Sequence, residues 1–317
     1  MRFFVGVTDG DWFEHLAAMP GLDEVNFWRP SGQTSFRAIK PGELFLFKLH
    51  SPRNFIVGGG HFVTYSRLPV SVAWLAFGEK NGVRDLVAFR QLVDKYRRRS
   101  GSIDPSPDPV IGCTVLTEPF FWPRDAWIPV PKDWSRNIVQ GKTYSTSEPA
   151  GKQLWYEVQQ RLKASEALAL LQGPQDRLEL PDGPRYGAEY LTRARLAQGA
   201  FRVLVTDAYN RRCAITAERT LPVLEAAHIK PYALSGGHAV SNGLLLRADL
   251  HILFDRGYLT VDPEHRVAVS RKIRDEYENG REYYALHGRP LSSLPGQAEF
   301  QPDRLLLTWH NENVFAP

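Results

Sequence analysis

Cysteine is scarce in this chain: 317 residues hold only Cys113 and Cys213. The two fall on either side of the domain break argued below, so a disulfide framework is not expected and a reducing compartment fits. Long apolar runs are also missing. No stretch approaches the roughly 18 uncharged apolar residues of a membrane-spanning helix, so no membrane partner is expected. The opening MRFFVGVTDGDWFEHL lacks the apolar stretch and small-residue cleavage site of a secretory signal, and a soluble cytoplasmic protein follows as the expectation. Charge is not strongly of one sign. The net +4 and a pI near 9.0 agree with a polyanionic partner but do not identify one.

The chain has enough material for two domains, with 43% apolar residues to fill their cores. Tryptophan divides it unevenly: Trp12, Trp28, Trp74, Trp122, Trp127, Trp134 and Trp155 precede residue 160, and only Trp309 follows. Two different cores are implied. The break is expected in residues 171–184, LQGPQDRLELPDGP, where glycine, proline and charge replace periodic apolar residues. Just before it, Leu154, Val158, Leu162 and Leu168 mark a helix over 151–171.

The N-terminal part opens with a strand, Phe3 to Val7, and Thr8 or Asp9 caps a helix reaching Leu16. Strands are expected over Ser35 to Ile39 and Leu44 to Leu49, joined by the turn Lys40, Pro41, Gly42. Asn54 to Gly58 and His61 to Tyr65 read as a strand pair, with Gly58, Gly59 and Gly60 as a bulge or tight bend. An amphipathic helix follows through Leu86, Phe89, Leu92, Val93 and Tyr96 and ends in Arg97, Arg98, Arg99, which suits either a DNA backbone or a solvated helix end. Further strands are expected at Val110 to Leu116 and Trp127 to Val130. Short strands with few helices predict a small β-barrel in an α+β fold.

Within this part, the PGE turn, LFLFKL and then FIVGGGHFV resemble the core of the PUA superfamily, which includes SRA, EVE, YTH and ASCH domains. The resemblance covers roughly 100 residues. It implies a PUA-like β-barrel that reads a modified base, and a flipped base needs aromatic surfaces to stack on and polar groups for its edge. Asn26, Trp28 and Arg29 lie in one segment that reads as turn-like, and Arg53 in another; these are the candidate DNA-binding residues. Burial in a core is the ordinary role of most tryptophans, although Trp28 stands in a polar setting.

The densest chemistry lies in Glu225 to Asp255, EAAHIKPYALSGGHAVSNGLLLRADLHILFD. Asn242 follows His228 by 14 residues and His251 follows it by 23. This order and spacing resemble the HNH nuclease site. A strand over Arg211 to Thr216, a second over Val223 to Ile229 and a helix over Asp249 to Asp255 would build the ββα-metal arrangement of that family, preceded by a helix from Tyr186 onward. Phosphodiester hydrolysis needs a base near neutral pH and a cation to offset phosphate charge. The resemblance makes His228 the general base and Asn242 the residue tying the loop to the base-bearing strand. His251 and Asp255, four residues apart on one helix face, become the metal ligands. His238, within the loop, is a candidate phosphate contact.

Two departures from the family are visible. Ala227 stands where many members carry a further ligand, leaving Glu225 or Asp249 as substitutes. Cys213, Ala214, Ile215, Thr216 replaces a CxxC pair, so no structural zinc is expected. Mixed nitrogen and oxygen donors suit Mg²⁺ or Mn²⁺, with Ni²⁺, Co²⁺ or Zn²⁺ also able to bind.

Together these features give a PUA-superfamily-like reader over residues 1–170, a linker over 171–184, and an HNH endonuclease domain with surrounding helices over 185–317. The resemblance is to modification-dependent restriction endonucleases. It implies cleavage of double-stranded DNA carrying 5-methyl- or 5-hydroxymethylcytosine, by a homodimer that supplies two active sites. Two other readings stay open. One is a nuclease directed to unmodified sequence, structured nucleic acid or phosphorothioate DNA. The other is a non-cleaving regulator with a degenerate HNH scaffold, for which Ala227 is the argument.

Overall fold

The computed structural model describes residues 1–32, 35–99, 106–171, 197–234 and 236–317. The chain divides into two compact units, Met1–Arg195 and Leu196–Pro317. Most of the linker expected at 171–184, and the helix expected from Tyr186, lie outside the described residues.

In the first unit β1 (Arg2–Thr8) leads into α1 (Gly10–Ala17). Asp9 caps that helix, its carboxylate accepting the Trp12 backbone N–H at 2.8 Å and satisfying one of the helix's orphan donors. β2 (Glu24–Arg29), β3 (Leu44–Leu49) and β4 (Phe55–Pro69) follow, then α2 (Val70–Phe77) and α3 (Leu86–Arg99). β5 (Val110–Phe121), β6 (Ile128–Pro129), β7 (Gly141–Ser145) and α4 (Pro149–Leu171) complete the unit.

The strands form one mixed sheet in the order β2-β5-β4-β3-β1-β7, with β6 paired to β4. β1 runs parallel to β3, and the other pairings are antiparallel. The fold is therefore α+β, but among the described residues the sheet is open, with β2 and β7 at its edges, and is not the closed PUA-like barrel expected from the sequence. The reason lies in what covers it. Phe3, Val5, Leu44 and Leu46 pack with Leu154 and Val158 of α4. The alternate residues Phe4, Phe45 and Phe47 pack with Trp12, Phe13 and Leu16 of α1. Helices cover both faces, so LFLFKL reads as a continuous apolar run and no closure is needed to bury it.

Three local expectations change. Ser35 to Ile39 is irregular rather than a strand, although Phe36 and Ile39 are buried. The expected strand pair around Gly58 to Gly60 is a single long strand, with register shifts against β5 between Gly59 and His61 and between Phe62 and Thr64. Glycine is required there because a Cβ at Gly58 would collide with the Phe120 carbonyl. Asn26 to Arg29, read as turn-like, belongs to β2, paired with β5. Of the arginines ending α3, Arg97 is buried and donates to the carbonyls of Pro30 at 2.8 Å and Val110 at 2.7 Å, a structural bolt rather than a phosphate contact.

The second unit contains α5 (Gln198–Ala208), β8 (Leu224–His228), β9 (Gly243–Arg247) and α6 (Ala248–Asp255). β10 (Leu259–Val261) and β11 (Val267–Val269) form a second antiparallel pair. α7 (Lys272–Tyr277), α8 (Arg281–Tyr284) and α9 (Arg304–Asn313) close the unit. One core runs through it, joining Phe201 and Val205 of α5 to Leu244, Leu245 and Leu246 of β9 and Leu250 and Phe254 of α6.

Arg211 to Thr216 is not the strand expected. Asn210, Arg211 and Ala217 adopt left-handed backbone conformations, with φ of 50°, 58° and 59°, that fold the segment into turns. Its apolar residues Cys213, Ala214 and Ile215 are nevertheless buried, which is what the strand-like pattern reported. The two strands at the site are β8 and β9, and the long loop lies between them.

Candidate active site

β8 and β9 pair antiparallel, with His228 opposite Gly243, and α6 begins directly after β9. α5 crosses closely over this pair. Gly243 is extended, at φ −124° and ψ 142°, and a Cβ there would approach Val205 Cγ2 to 2.5 Å and Phe201 Cζ to 3.0 Å. The glycine after Asn242 thus serves helix-to-strand packing, not a turn.

His228 ends β8 with its ring stacked on Phe201, centroids 3.9 Å apart and planes 12° apart. Its Nε2 lies 3.0 Å from His238 Nδ1. Burial lowers its pKa to about 4, with smaller contributions in the same direction from His238 and His251. The imidazole is therefore neutral at physiological pH, the state in which one ring nitrogen carries a lone pair for a proton.

Asn242 is almost wholly buried and uses its amide fully on backbone. Oδ1 accepts the Lys230 N–H at 2.9 Å, while Nδ2 donates to the Lys230 carbonyl at 3.0 Å and the Gly237 carbonyl at 2.7 Å. These bonds fasten the chain just beyond His228 to the residue just before His238. With Ile229 N–H donating to the Asn242 carbonyl at 2.9 Å, both ends of the loop are clamped together.

On α6, His251 Nε2 stands 3.3 Å from Asp255 Oδ2, one helical turn on. His251 Nδ1 stands 2.7 Å from Glu225 Oε2 on β8. A His251 whose Nδ1–H donates to Glu225 keeps its Nε2 lone pair for a cation, the arrangement in which a carboxylate orients a metal-binding imidazole. Ligand atoms at adjacent corners of an octahedron with bonds of ~2.1 Å lie roughly 3 Å apart, so His251 Nε2 and Asp255 fit one divalent ion. Among the described residues no three His, Cys, Asp or Glu side chains form a group that could hold a metal, so an ion at His251 and Asp255 would take its other positions from solvent or phosphate. The Asp255 carboxyl is pushed up, chiefly by burial and further by Glu225, with His251 opposing.

The two residues considered as substitutes at the departure point behave differently. Asp249 forms a bidentate pair with Arg247, at 2.6 and 2.7 Å, and also accepts from the Tyr283 hydroxyl at 3.3 Å; Arg247 holds its carboxyl below the usual range. It is committed. Glu225 is placed behind His251 instead. Ala227 is fully buried in the core, opposite Leu244.

The N-terminal candidates separate. Trp28 and Arg29 line a cavity of about 440 Å³ together with Asp9, Trp12, His50 and Tyr96. Trp28 Nε1–H donates to the Asn81 carbonyl at 2.9 Å and its ring meets Phe89 edge-on at 5.2 Å, which fixes it as a wall. Asp9 Oδ2 accepts the Tyr96 hydroxyl at 2.7 Å. Arg29, its pKa lowered chiefly by burial, stands over the Phe36 ring. Asn26 does not line the cavity: it is fully buried and donates to Asn81 Oδ1 at 2.9 Å. Arg53 pairs with Glu14 at 2.8 Å on the exposed surface. His238 lies against His228 in the other unit and stacks on Tyr232 at 4.7 Å.

Sequence reasoning did not single out Phe201 as a residue touching His228, nor Asp9, Trp12 and Tyr96 as cavity walls. Nothing in their spacing signals these roles, since Phe201 meets His228, and Tyr96 meets Asp9, across elements distant in sequence. Glu225 was legible as a candidate because it opens the same EAAH frame.

A strand-end histidine, a clamped loop asparagine and a helix histidine thus lie together on two antiparallel strands and one helix. Residues 213–262 match the family described as HNH endonuclease, and the C-terminal unit thus contains an HNH endonuclease domain. No curated protein matches the chain. Among solved structures it is similar to one described as "Modification dependent TagI restriction endonuclease", at 13% identity and a TM-score of 0.29, over 98% of this chain and 81% of that one. No helix among the described residues is long and apolar enough to cross a membrane.

Proposed function

We propose that the chain is a modification-dependent DNA endonuclease. Residues 185–317 hydrolyse phosphodiester bonds, and residues 1–170 select DNA containing 5-methyl- or 5-hydroxymethylcytosine. The observation carrying the hydrolytic part is the neutral His228 imidazole held against Phe201 and His238, in the same unit as the His251 and Asp255 donors. His228 takes the proton of a water attacking phosphorus while the 3′ oxygen departs. Asn242 keeps the loop registered on β8 and Glu225 holds the His251 ring. A divalent ion, Mg²⁺ or Mn²⁺, held by His251 and Asp255 would offset the charge developing on the phosphate and the leaving oxygen.

The selecting part is supported by the cavity in the first unit. At about 440 Å³ it falls in the range of small-ligand sites, roughly 300–1,000 Å³, and it offers stacking surfaces in Trp12, Trp28 and Tyr96. The Asp9 carboxylate, with lone pairs beyond those taken by Trp12 N–H and Tyr96, suits the exocyclic amine of an extruded cytosine. Cutting both strands needs two sites, which favours a homodimer.

The test is digestion of unmodified, 5-methylcytosine and 5-hydroxymethylcytosine plasmids with Mg²⁺ or Mn²⁺, using the full chain and His228→Ala. Metal-dependent cutting of modified DNA by the unaltered chain alone is expected. Equal cutting of all three plasmids would reject the modified-base reader, and equal behaviour of the two proteins would leave a non-cleaving regulator.

A further inference from the structure

We propose that His238 is a positioning residue for the general base, accepting a hydrogen bond from His228 Nε2 on its own Nδ1 so that the lone pair of His228 resides on Nδ1. The proposal rests on the reading of His228 as the base.

The geometry leaves few alternatives. The two nitrogens are 3.0 Å apart, a hydrogen bond in which one proton is shared between two rings. A neutral His228 has a single N–H. If that proton is on Nε2, it points at His238 and Nδ1 is basic. If the bridging proton belongs to His238, Nε2 of His228 is occupied as an acceptor, Nδ1 carries the N–H, and no nitrogen is left to take a proton from water. Only the first arrangement supports base catalysis.

The surroundings hold both rings in place. Phe201 stacks on His228 at 3.9 Å and also meets His238 at 5.6 Å, while Tyr232 stacks on the far side of His238 at 4.7 Å, planes 11° apart. Asn242 adds the longitudinal constraint by bonding the Gly237 carbonyl, one residue before His238, to the strand end that carries His228. The asparagine therefore governs more than loop closure: it fixes the distance between the two histidines. The titratable groups facing His228 are His238 from the loop and His251 from α6. Glu225 is bonded to His251 rather than to His228.

In the reaction the water proton goes to His228 Nδ1, and the resulting imidazolium keeps its Nε2–H directed at His238 Nδ1. The positive charge is delivered into an existing hydrogen bond rather than into an apolar contact. Once the product has left, the Nδ1 proton of His228 returns to solvent, and the starting tautomers, with Nε2–H donating to His238 Nδ1, are restored.

The test compares His238→Asn, whose Oδ1 occupies nearly the place of Nδ1 as an acceptor, with His238→Phe, which preserves stacking on Tyr232 but accepts nothing. Single-turnover cleavage of the susceptible plasmid by the full chain should fall about 10- to 100-fold for Phe and return to within a few-fold for Asn, with DNA affinity unchanged. Nitrogen-15 spectra of the histidines, read without DNA, should show His228 protonated on Nε2 in the unaltered chain and in Asn, and a mixture of tautomers in Phe. Full activity of Phe, or equal loss in both variants with weakened DNA binding, overturns the proposal in favour of a phosphate contact. Cleavage surviving His228→Ala overturns the base assignment instead, and the tautomer spectra report on the histidine pair independently of activity.

Discussion

Asn242→Ala tests how far the active-site loop depends on a single side chain. The alanine variant loses three hydrogen bonds to backbone, at 2.9, 3.0 and 2.7 Å, in a site where the native side chain is 1% exposed. An intramolecular hydrogen bond contributes about 0.5–1.5 kcal/mol net, and a buried partner left unsatisfied costs about 1–3 kcal/mol. Gly237 is exposed, so its carbonyl recovers water, while the half-buried Lys230 groups recover it only in part. A loss of about 2–4 kcal/mol in the stability of the second unit follows. Urea unfolding followed by circular dichroism measures it, and hydrogen exchange at the Lys230 amide localises it. Asn242→Asp sharpens the argument, because it keeps the acceptor for Lys230 N–H but sets a carboxylate against two carbonyl oxygens. At neutral pH it should be at least as damaging as alanine. Its carboxyl, with a pKa raised by that repulsion, should restore stability as pH falls and the protonated form donates again. An alanine variant within about 0.5 kcal/mol of the original, with Lys230 protection unchanged, would refute the clamp.

The remaining predictions concern base, metal and surface. His228→Ala should reduce the cleavage rate by about 10²- to 10⁴-fold in a single-turnover assay while leaving DNA retention in gel shifts unaltered. Asp255→Asn should weaken Mn²⁺ binding in calorimetric titration, and Glu225→Gln should weaken it by a further route, each about 10- to 100-fold; unchanged affinity in Asp255→Asn would remove that residue from the donor set. His228 and His310 both have pKa values lowered to about 4 by burial, against an unfolded value of about 6.5. Between those values the unfolded chain binds more protons, so stability should be full above about pH 6.5 and fall as pH drops toward 4. Urea midpoints that rise on acidification through this window would contradict it. Arg53→Ala breaks only an exposed pair with Glu14 and should change stability by less than about 1 kcal/mol, whereas Trp28→Ala should selectively weaken binding to the modified duplex.

The sequence exposed those features whose cause is local. The Asp9 cap, the helix over 86–99 and the apolar run of β3 follow from side-chain chemistry within a few residues. The open sheet did not follow, because an apolar run reports burial on both faces without reporting what provides it. In β3 the covering groups come from α1 and α4, more than a hundred residues apart along the chain. Arg211 to Thr216 failed for a related reason: Cys213, Ala214 and Ile215 are buried as strand residues would be, but three left-handed residues coil the segment into turns.

The active site shows the same division between local order and distant support. His228, Asn242 and His251 keep readable spacing because one hairpin and the helix directly after it carry all three, so chain geometry translates separation into position. What surrounds those residues is supplied across the fold. Phe201 from α5 stacks on His228, the His238 ring lies within hydrogen-bond distance of one of its nitrogens, and Glu225 from β8 bonds His251. Ala227, which in the sequence argues for a degenerate scaffold, acquires a different meaning from its position opposite Leu244 in the core. A charged side chain there would sit within the buried core. On the proposed reading, alanine at this position would bear on metal affinity while leaving the His228–His238 pair in place.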